Sequence, residues 1–145
     1  MLLSKSCVYG IRSMIYLTLK HENNFVQIKN ISGDLGISFH FLTKILQLLT
    51  QGGLVHSFKG PKGGVKLAKP AENISLLDIV TIVDGTDLFE QCILGLPGCN
   101  QQKPCPLHDD WDRQREVIKN SFKQTSLAQI ADKINKKNLR LAEDE

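Results

Sequence analysis

Between Gln27 and Gly53 the chain carries two short amphipathic stretches joined at Gly36. In the first, Ile28, Ile31 and Leu35 share a helical face and Gly36 stops it. In the second, Ser38 stands at an N-cap position, Leu42, Ile45, Leu46 and Leu49 form the apolar stripe, and Gly52-Gly53 ends it. Two helices across so tight a glycine turn predict a helix-turn-helix, whose second helix enters a major groove by its N-terminal end. The exposed polar positions of that helix, Ser38, His40, Thr43, Lys44 and Gln47, are then candidates for base and phosphate contacts.

The flanking sequence supports the same architecture. Upstream, Val8, Ile11, Ile15 and Leu19 mark an amphipathic helix over residues 3–20, with Cys7 beside the stripe as a small apolar filler. Downstream, Leu54 to Phe58 alternates as a strand, Lys59-Gly60-Pro61-Lys62-Gly63-Gly64 is a turn, and Val65 to Ala68 is a second strand. This is a β-hairpin with a basic tip, in which Lys59 and Lys62 can reach phosphates or a minor groove, as wings do. The predicted class is mainly α with a small β-hairpin: a winged helix-turn-helix DNA-binding domain plus a long dimerisation helix.

Charge is distributed accordingly. The formal charge of +3 conceals nine Lys/Arg against two acids in residues 1–70, and nine against thirteen in residues 71–145. Lys29, Lys44, Lys59, Lys62, Lys66 and Lys69 can each neutralise a phosphate if they share a face, which predicts double-stranded DNA as the partner. No apolar run reaches the ~18 residues that a bilayer span needs, and the first residues lack a secretion segment, so the expected location is the cytoplasm, with no membrane partner.

Ser75 and Asp78 form a capping-box pattern for a helix that ends near Asp84-Gly85. Three of the four cysteines, Cys92, Cys99 and Cys105, then crowd one loop, with His108 three residues beyond the last thiol and Gly95, Pro97, Gly98, Pro104 and Pro106 bending the chain. In a reducing compartment such clustered thiols point to a metal or redox centre rather than to disulfides. Three thiolates and an imidazole suit zinc as well as an iron-sulfur cluster, and the thiols alone suit reversible oxidation. An RNA-reading Cys3His finger is disfavoured, because no aromatic platform lies between Cys92 and His108. A Cys105-His108 nucleophile and base is disfavoured too, since no orienting group, oxyanion site or cofactor fingerprint accompanies the pair, and the chain is read as no enzyme.

Beyond the loop, Trp111, Val117, Ile118 and Phe122 recur on a charged helix from about Asp109 to Lys123, and Ser126 caps a last helix carrying Leu127, Ile130, Ala131 and Ile134. These helices need an apolar partner, and a second copy of the chain is the expected one, since a twofold dimer doubles the DNA site. Trp111 is expected at that interface or in the core, and Lys136 to Glu145 is expected to be frayed. The organisation expected is residues 1–84 as the DNA-binding domain, 85–108 as the cysteine-rich loop, and 109–145 as the dimerisation helix and C-terminal helix.

In this order the motifs resemble those of the Rrf2 family of bacterial winged-helix transcription regulators, along the whole chain. Leu3-Ser4 with Tyr9-Gly10-Ile11-Arg12 is similar to the family's first helix, and Ile37-Ser38-Phe39-His40-Phe41-Leu42 to its recognition-helix entry. Lys59-Gly60-Pro61-Lys62-Gly63-Gly64-Val65-Lys66-Leu67 is similar to its wing, which usually begins with Arg and has glycine where Lys62 stands. Cluster-binding members commonly separate three cysteines by five residues each; here the gaps are six and five. The resemblance implies a homodimer whose operator affinity is set by an iron-sulfur cluster on Cys92, Cys99 and Cys105, supplied by the iron-sulfur assembly machinery. IscR-like members place a histidine where His108 stands, as the fourth ligand of a 2Fe-2S cluster. NsrR-like members take an aspartate from the partner's first helix for a 4Fe-4S cluster, and Val8 stands at that position here, so 2Fe-2S is favoured. The alternative is a zinc-bound or metal-free thiol sensor of the same fold. At the recognition helix, IscR-like members have a small residue and an acidic one where this chain has His40 and Thr43, so a changed operator preference is implied.

Overall fold

The computed structural model describes residues 2–21 and 24–143. It is mostly helical, with one two-stranded antiparallel sheet, as expected. Helix α1 (Lys5–His21) is the central rod. Ser4 caps it: its hydroxyl accepts from the Cys7 amide at 3.0 Å, while its own amide donates to Asp84 Oδ2 at 2.9 Å. Met14 and Leu17 of α1 are fully buried, packed in one cluster with Ile31, Leu42, Ile45, Leu46 and Leu49.

Those last residues belong to α2 (Ile28–Leu35) and α3 (Phe39–Gln51). Gly36 ends α2 in the left-handed region, with φ of 65°, and its amide caps the Ser32 carbonyl; this conformation lets α3 start three residues later. Ser38 does occupy the N-cap of α3, but its side chain makes no capping bond, which leaves its hydroxyl free for another partner.

The wing follows as β1 (Val55–Phe58) and β2 (Gly64–Leu67), in register Val55 with Leu67 and Phe58 with Gly64. A bridge between Val26 and Val65, with N–H···O distances of 2.8 and 2.9 Å, ties the hairpin to the chain entering α2. Gln27 Nε2 also donates to the Pro61 carbonyl at the hairpin tip, at 3.5 Å. A 3-10 turn (Ala71–Asn73) leads into α4 (Leu76–Asp84), whose Ser75–Asp78 capping box forms as the pattern predicts.

Three segments differ from the sequence expectation. A single turn, α5 (Asp87–Glu90), precedes the cysteine loop; it is too short to leave a periodic signal, and buried Phe89 with half-buried Leu88 anchors it. Helix α6 (His108–Gln124) has no fully buried residue, but α7 (Leu127–Lys137) folds back and sinks Leu127 and Ala131 against the same protomer. Amphipathicity tells which face is covered, not by what. The tail is not wholly frayed: Leu141 and Ala142 pack against the core and the Leu141 carbonyl accepts from Arg12 Nε at 3.0 Å, whereas Asp144 and Glu145 lie outside the described residues.

Cys7 is fully buried beside Val80 and Phe89, the filler role expected of it. Burial, with the Asp84 carboxylate adding, pushes its thiol from 9.0 up to about 12. Burial and the hydrogen bond to Asp34 Oδ2 at 2.5 Å push the Tyr16 phenol from 10.0 up to about 12. Both groups are acids with raised folded-state values, so their neutral forms add stability that is complete below about pH 9 and lost as pH climbs towards about 12. The thermal midpoint is therefore expected to fall across that alkaline window. Cys7→Ala should remove part of the slope, and a pH-independent midpoint would overturn the assignment.

Candidate metal centre

The loop between α5 and α6 is short of regular structure and rich in turns, with Gly95 and Gly98 both at φ of 70°. It brings the thiols of Cys92, Cys99 and Cys105 together, all three sulfurs lying within 4.8 Å of one another. Cys92 Sγ is 3.6 Å from Cys105 Sγ, and the Cys105 amide points at Cys99 Sγ from 3.4 Å. His108, the first residue of α6, sets Nδ1 3.4 Å from Cys99 Sγ. The histidine therefore meets one thiol, while the three cysteines form the compact group.

The donors differ in readiness. Hydrogen bonding by the Leu96 backbone, helped by Leu94 and the other two thiols, brings Cys92 from 9.0 down to about 7. Burial pushes Cys105 the other way. The first thiol of the loop is thus the readier to ionise and the third the more reluctant, and a metal must displace the protons that remain.

The donor set fits a thiophilic centre. Thiolates on one tetrahedral ion sit ~3.8 Å apart, given metal–sulfur bonds of about 2.3 Å. The observed 3.6 Å for Cys92 and Cys105 matches that spacing. Cysteine with one histidine also serves iron-sulfur clusters.

The loop is seated on α6 at its root. Trp111 Nε1 and an Arg115 terminal nitrogen both donate to the Gln91 carbonyl, each at 3.0 Å. Phe89 meets Phe122 edge to face, with centroids 6.1 Å apart. Behind it lie Cys7 and Val80, so the loop's root touches both α1 and α4. Trp111 is half-buried, and its indole serves the loop, a role for which the residue pattern carries no signal.

The residues expected to contact DNA lie on α2, α3 and the wing, none of them in the cysteine loop. Lys29 on α2, Ser38, His40, Lys44 and Gln47 on α3 or its cap, and Lys59 and Lys62 on the wing tip are all exposed. Thr43 is half-buried and its hydroxyl donates to the Phe39 carbonyl at 2.7 Å, which leaves it only acceptor capacity towards a base. Phe39, outside the polar positions expected to meet DNA, is 47% exposed and stands edge to face with His40. Lys66 lies over the Phe25 ring at 4.8 Å, and Phe25 stacks beside Phe58. Lys66 therefore belongs to an aromatic cluster on the wing's outer face rather than to a free basic patch.

A family model described as Rrf2, iron-dependent transcriptional regulator, matches residues 3–133. The chain belongs to the Rrf2 family. It is 30% identical over 122 residues to the HTH-type transcriptional regulator IscR of Yersinia pseudotuberculosis, covering 84% of this chain and 74% of that one. Among solved structures it is similar to CymR, the global cysteine regulator of B. subtilis, with 27% identity, TM-score 0.77 and coverage of 90% and 95%. It is also similar in fold to T. potens IscR, with 22% identity, TM-score 0.76 and coverage of 95% and 91%. The protein is a transcriptional regulator of a family that binds DNA and is usually dimeric, and its relatives are not enzymes. No helix among the described residues is long and apolar enough to cross a membrane.

Proposed function

We propose that this Rrf2 protein is a homodimeric regulator whose operator affinity is set by an iron-sulfur cluster held by Cys92, Cys99, Cys105 and His108, of the 2Fe-2S type. The observation that carries the reading is the convergence of three thiols within 4.8 Å in a loop whose root is bonded to α6 and packed on α1 and α4. When bound, such a cluster supplies sensitivity to oxidants, nitric oxide and iron supply. The chain's own part is to hold the donors and to transmit the loop's state through Phe89 and Phe122. Asp84 carries it on to α1, because its carboxylate accepts from both the amide and the hydroxyl of Ser4 at that helix's start.

DNA contact falls to Ser38, His40, Thr43, Lys44 and Gln47 on the recognition helix, to Lys59 and Lys62 on the wing, and to Lys29 between them. Residues 1–84 form the DNA-binding unit, 85–108 the sensor loop, and α6 the dimer seam. Val117, 65% exposed, and the absence of any buried α6 residue support a second copy there. A signal changes operator affinity only by its differential stabilisation of the binding-competent dimer, and a coupling of about 1–3 kcal/mol corresponds to about 5–150-fold. Cytoplasmic assembly proteins are the natural source of the cluster.

The compact spacing of Cys92 and Cys105 favours a second reading, a zinc-bound regulator of the same fold. Anaerobically purified protein, measured for visible absorption, iron, acid-labile sulfide and zinc, separates the two. Equal iron and sulfide, two of each per chain, are expected; colourless protein with one zinc per chain would replace the cluster reading with the zinc one. Thiols without any metal, reversibly oxidised, would make it a metal-free thiol sensor, the reading that the likeness to the cysteine regulator CymR supports.

A further inference from the structure

One charged side chain near the loop has no explanation in packing. Arg115 lies on the face of α6 turned to the loop, and its side chain is only 11% exposed. One terminal nitrogen donates to the Gln91 carbonyl at 3.0 Å and the other to Asp112 Oδ1 at 2.6 Å, while Nε is buried without a hydrogen-bond partner. A buried guanidinium with one unmet donor is a poor choice for stability alone, since an apolar residue of similar volume avoids the desolvation.

What the guanidinium joins is more telling. Gln91 directly precedes Cys92, the first thiol, so its carbonyl fixes where the loop departs. Asp112 stands one helical turn beyond His108, on the same face of α6. The hydrogen bond and charge of the Arg115 guanidinium hold the Asp112 carboxyl below its ordinary value. One side chain thus joins Gln91, the residue before the first thiol, to Asp112, one helical turn from His108 on α6.

We infer that Arg115 is a positioning residue for the thiol loop, clamping the Gln91 carbonyl to α6 and orienting the Asp112 carboxylate beside His108, so that thiols and imidazole keep one spacing. It touches no donor atom itself. Its role is that of an outer-shell partner, whose loss typically costs a site 10–100-fold in metal affinity. Trp111 shares the Gln91 acceptor, which gives the clamp a signature: losing either donor leaves the carbonyl paired, and losing both leaves it unpaired.

The inference rests on the metal-centre reading, so the test has two arms. In cluster-free full-length protein, Arg115→Gln is expected to raise amide hydrogen exchange in residues 91–107 by roughly tenfold or more while leaving α3 unchanged. In reconstituted protein, cluster release to a chelator is expected to speed up by about 10–100-fold with a shifted visible circular-dichroism spectrum. Arg115→Lys, which keeps the charge but bonds one partner at a time, should lie between, and Trp111→Phe with Arg115→Gln should exceed the sum of the two. Unchanged loop exchange with unchanged release would overturn the clamp, as would exchange rising equally in α3. Loosened loop exchange in a protein that takes up neither iron nor sulfide would instead keep the clamp and sink the cluster.

Discussion

Replacing Cys99 by alanine is expected to lower bound iron and sulfide to background in anaerobically reconstituted protein. Cys99 is met by the Cys105 amide and by His108 Nδ1, each at 3.4 Å. Its removal leaves two thiols and an imidazole that shares no other contact with them. The site is built on thiolates, so the effect should be near complete, whereas His108→Ala removes only the fourth donor and should leave a paler, more quickly lost chromophore. Regulation is expected to follow: the Cys99→Ala protein should bind operator with the affinity of the cluster-free wild type and fail to respond to iron. A native iron and sulfide complement in Cys99→Ala would remove Cys99 from the ligand set.

The second large effect lies in the wing. Gly64 has φ of 146°, and a Cβ there would fall 2.2 Å from the Val26 carbonyl oxygen, well inside contact distance. Gly64→Val should therefore break the Val26–Val65 bridge. Backbone strain alone costs about 1–3 kcal/mol, and the clash adds to it. The hairpin would leave its seat against α2 and carry Lys59 and Lys62 with it. If those two lysines each hold a phosphate, the slope of log affinity against log salt becomes shallower by about 2. Gly60→Ala is the control, because its Cβ meets nothing within 4 Å and it shares the positive φ, at 121°. Equal salt slopes for wild type and Gly64→Val would show that the wing tip carries no phosphate contact.

How much of this was legible in the chain depended on whether a feature leaves a pattern. The helices α1 to α4 did, because apolar residues such as Ile11 and Ile15, Ile31 and Leu35, Leu42, Leu46 and Leu49, and Ile79 and Val83 repeat at helical spacing, with glycines stopping α2, α3 and α4. The wing did, through alternation and Gly63-Gly64. The thiol loop did, since cysteine is scarce and its clustering is not accidental. The seat of that loop did not. Arg115 and Trp111 bond to a backbone carbonyl, and a backbone acceptor has no letter in the sequence. The destination of α7 was equally hidden, because Leu127 and Ala131 advertise a buried face but not the protomer that buries it. Phe39 escaped because an exposed aromatic in a helix's first turn looks like core until the stripe of Leu42 and Ile45 is placed.

The seam between the wing and α2 bears on how a signal can act. Val26 pairs with Val65 on both sides, and Gln27 reaches the Pro61 carbonyl, so hairpin and helix-turn-helix are stitched into one body. A body of that kind does not change what it reads; it can only change where it stands. In a twofold pair the natural coordinate is the distance and phase between two readers, and half-sites one helical repeat apart, about 10–10.5 base pairs, are sensitive to both. Operators lengthened or shortened by single base pairs then become a ruler: under the proposed cluster reading, the spacing bound best with and without the cluster measures any motion that the loop imposes.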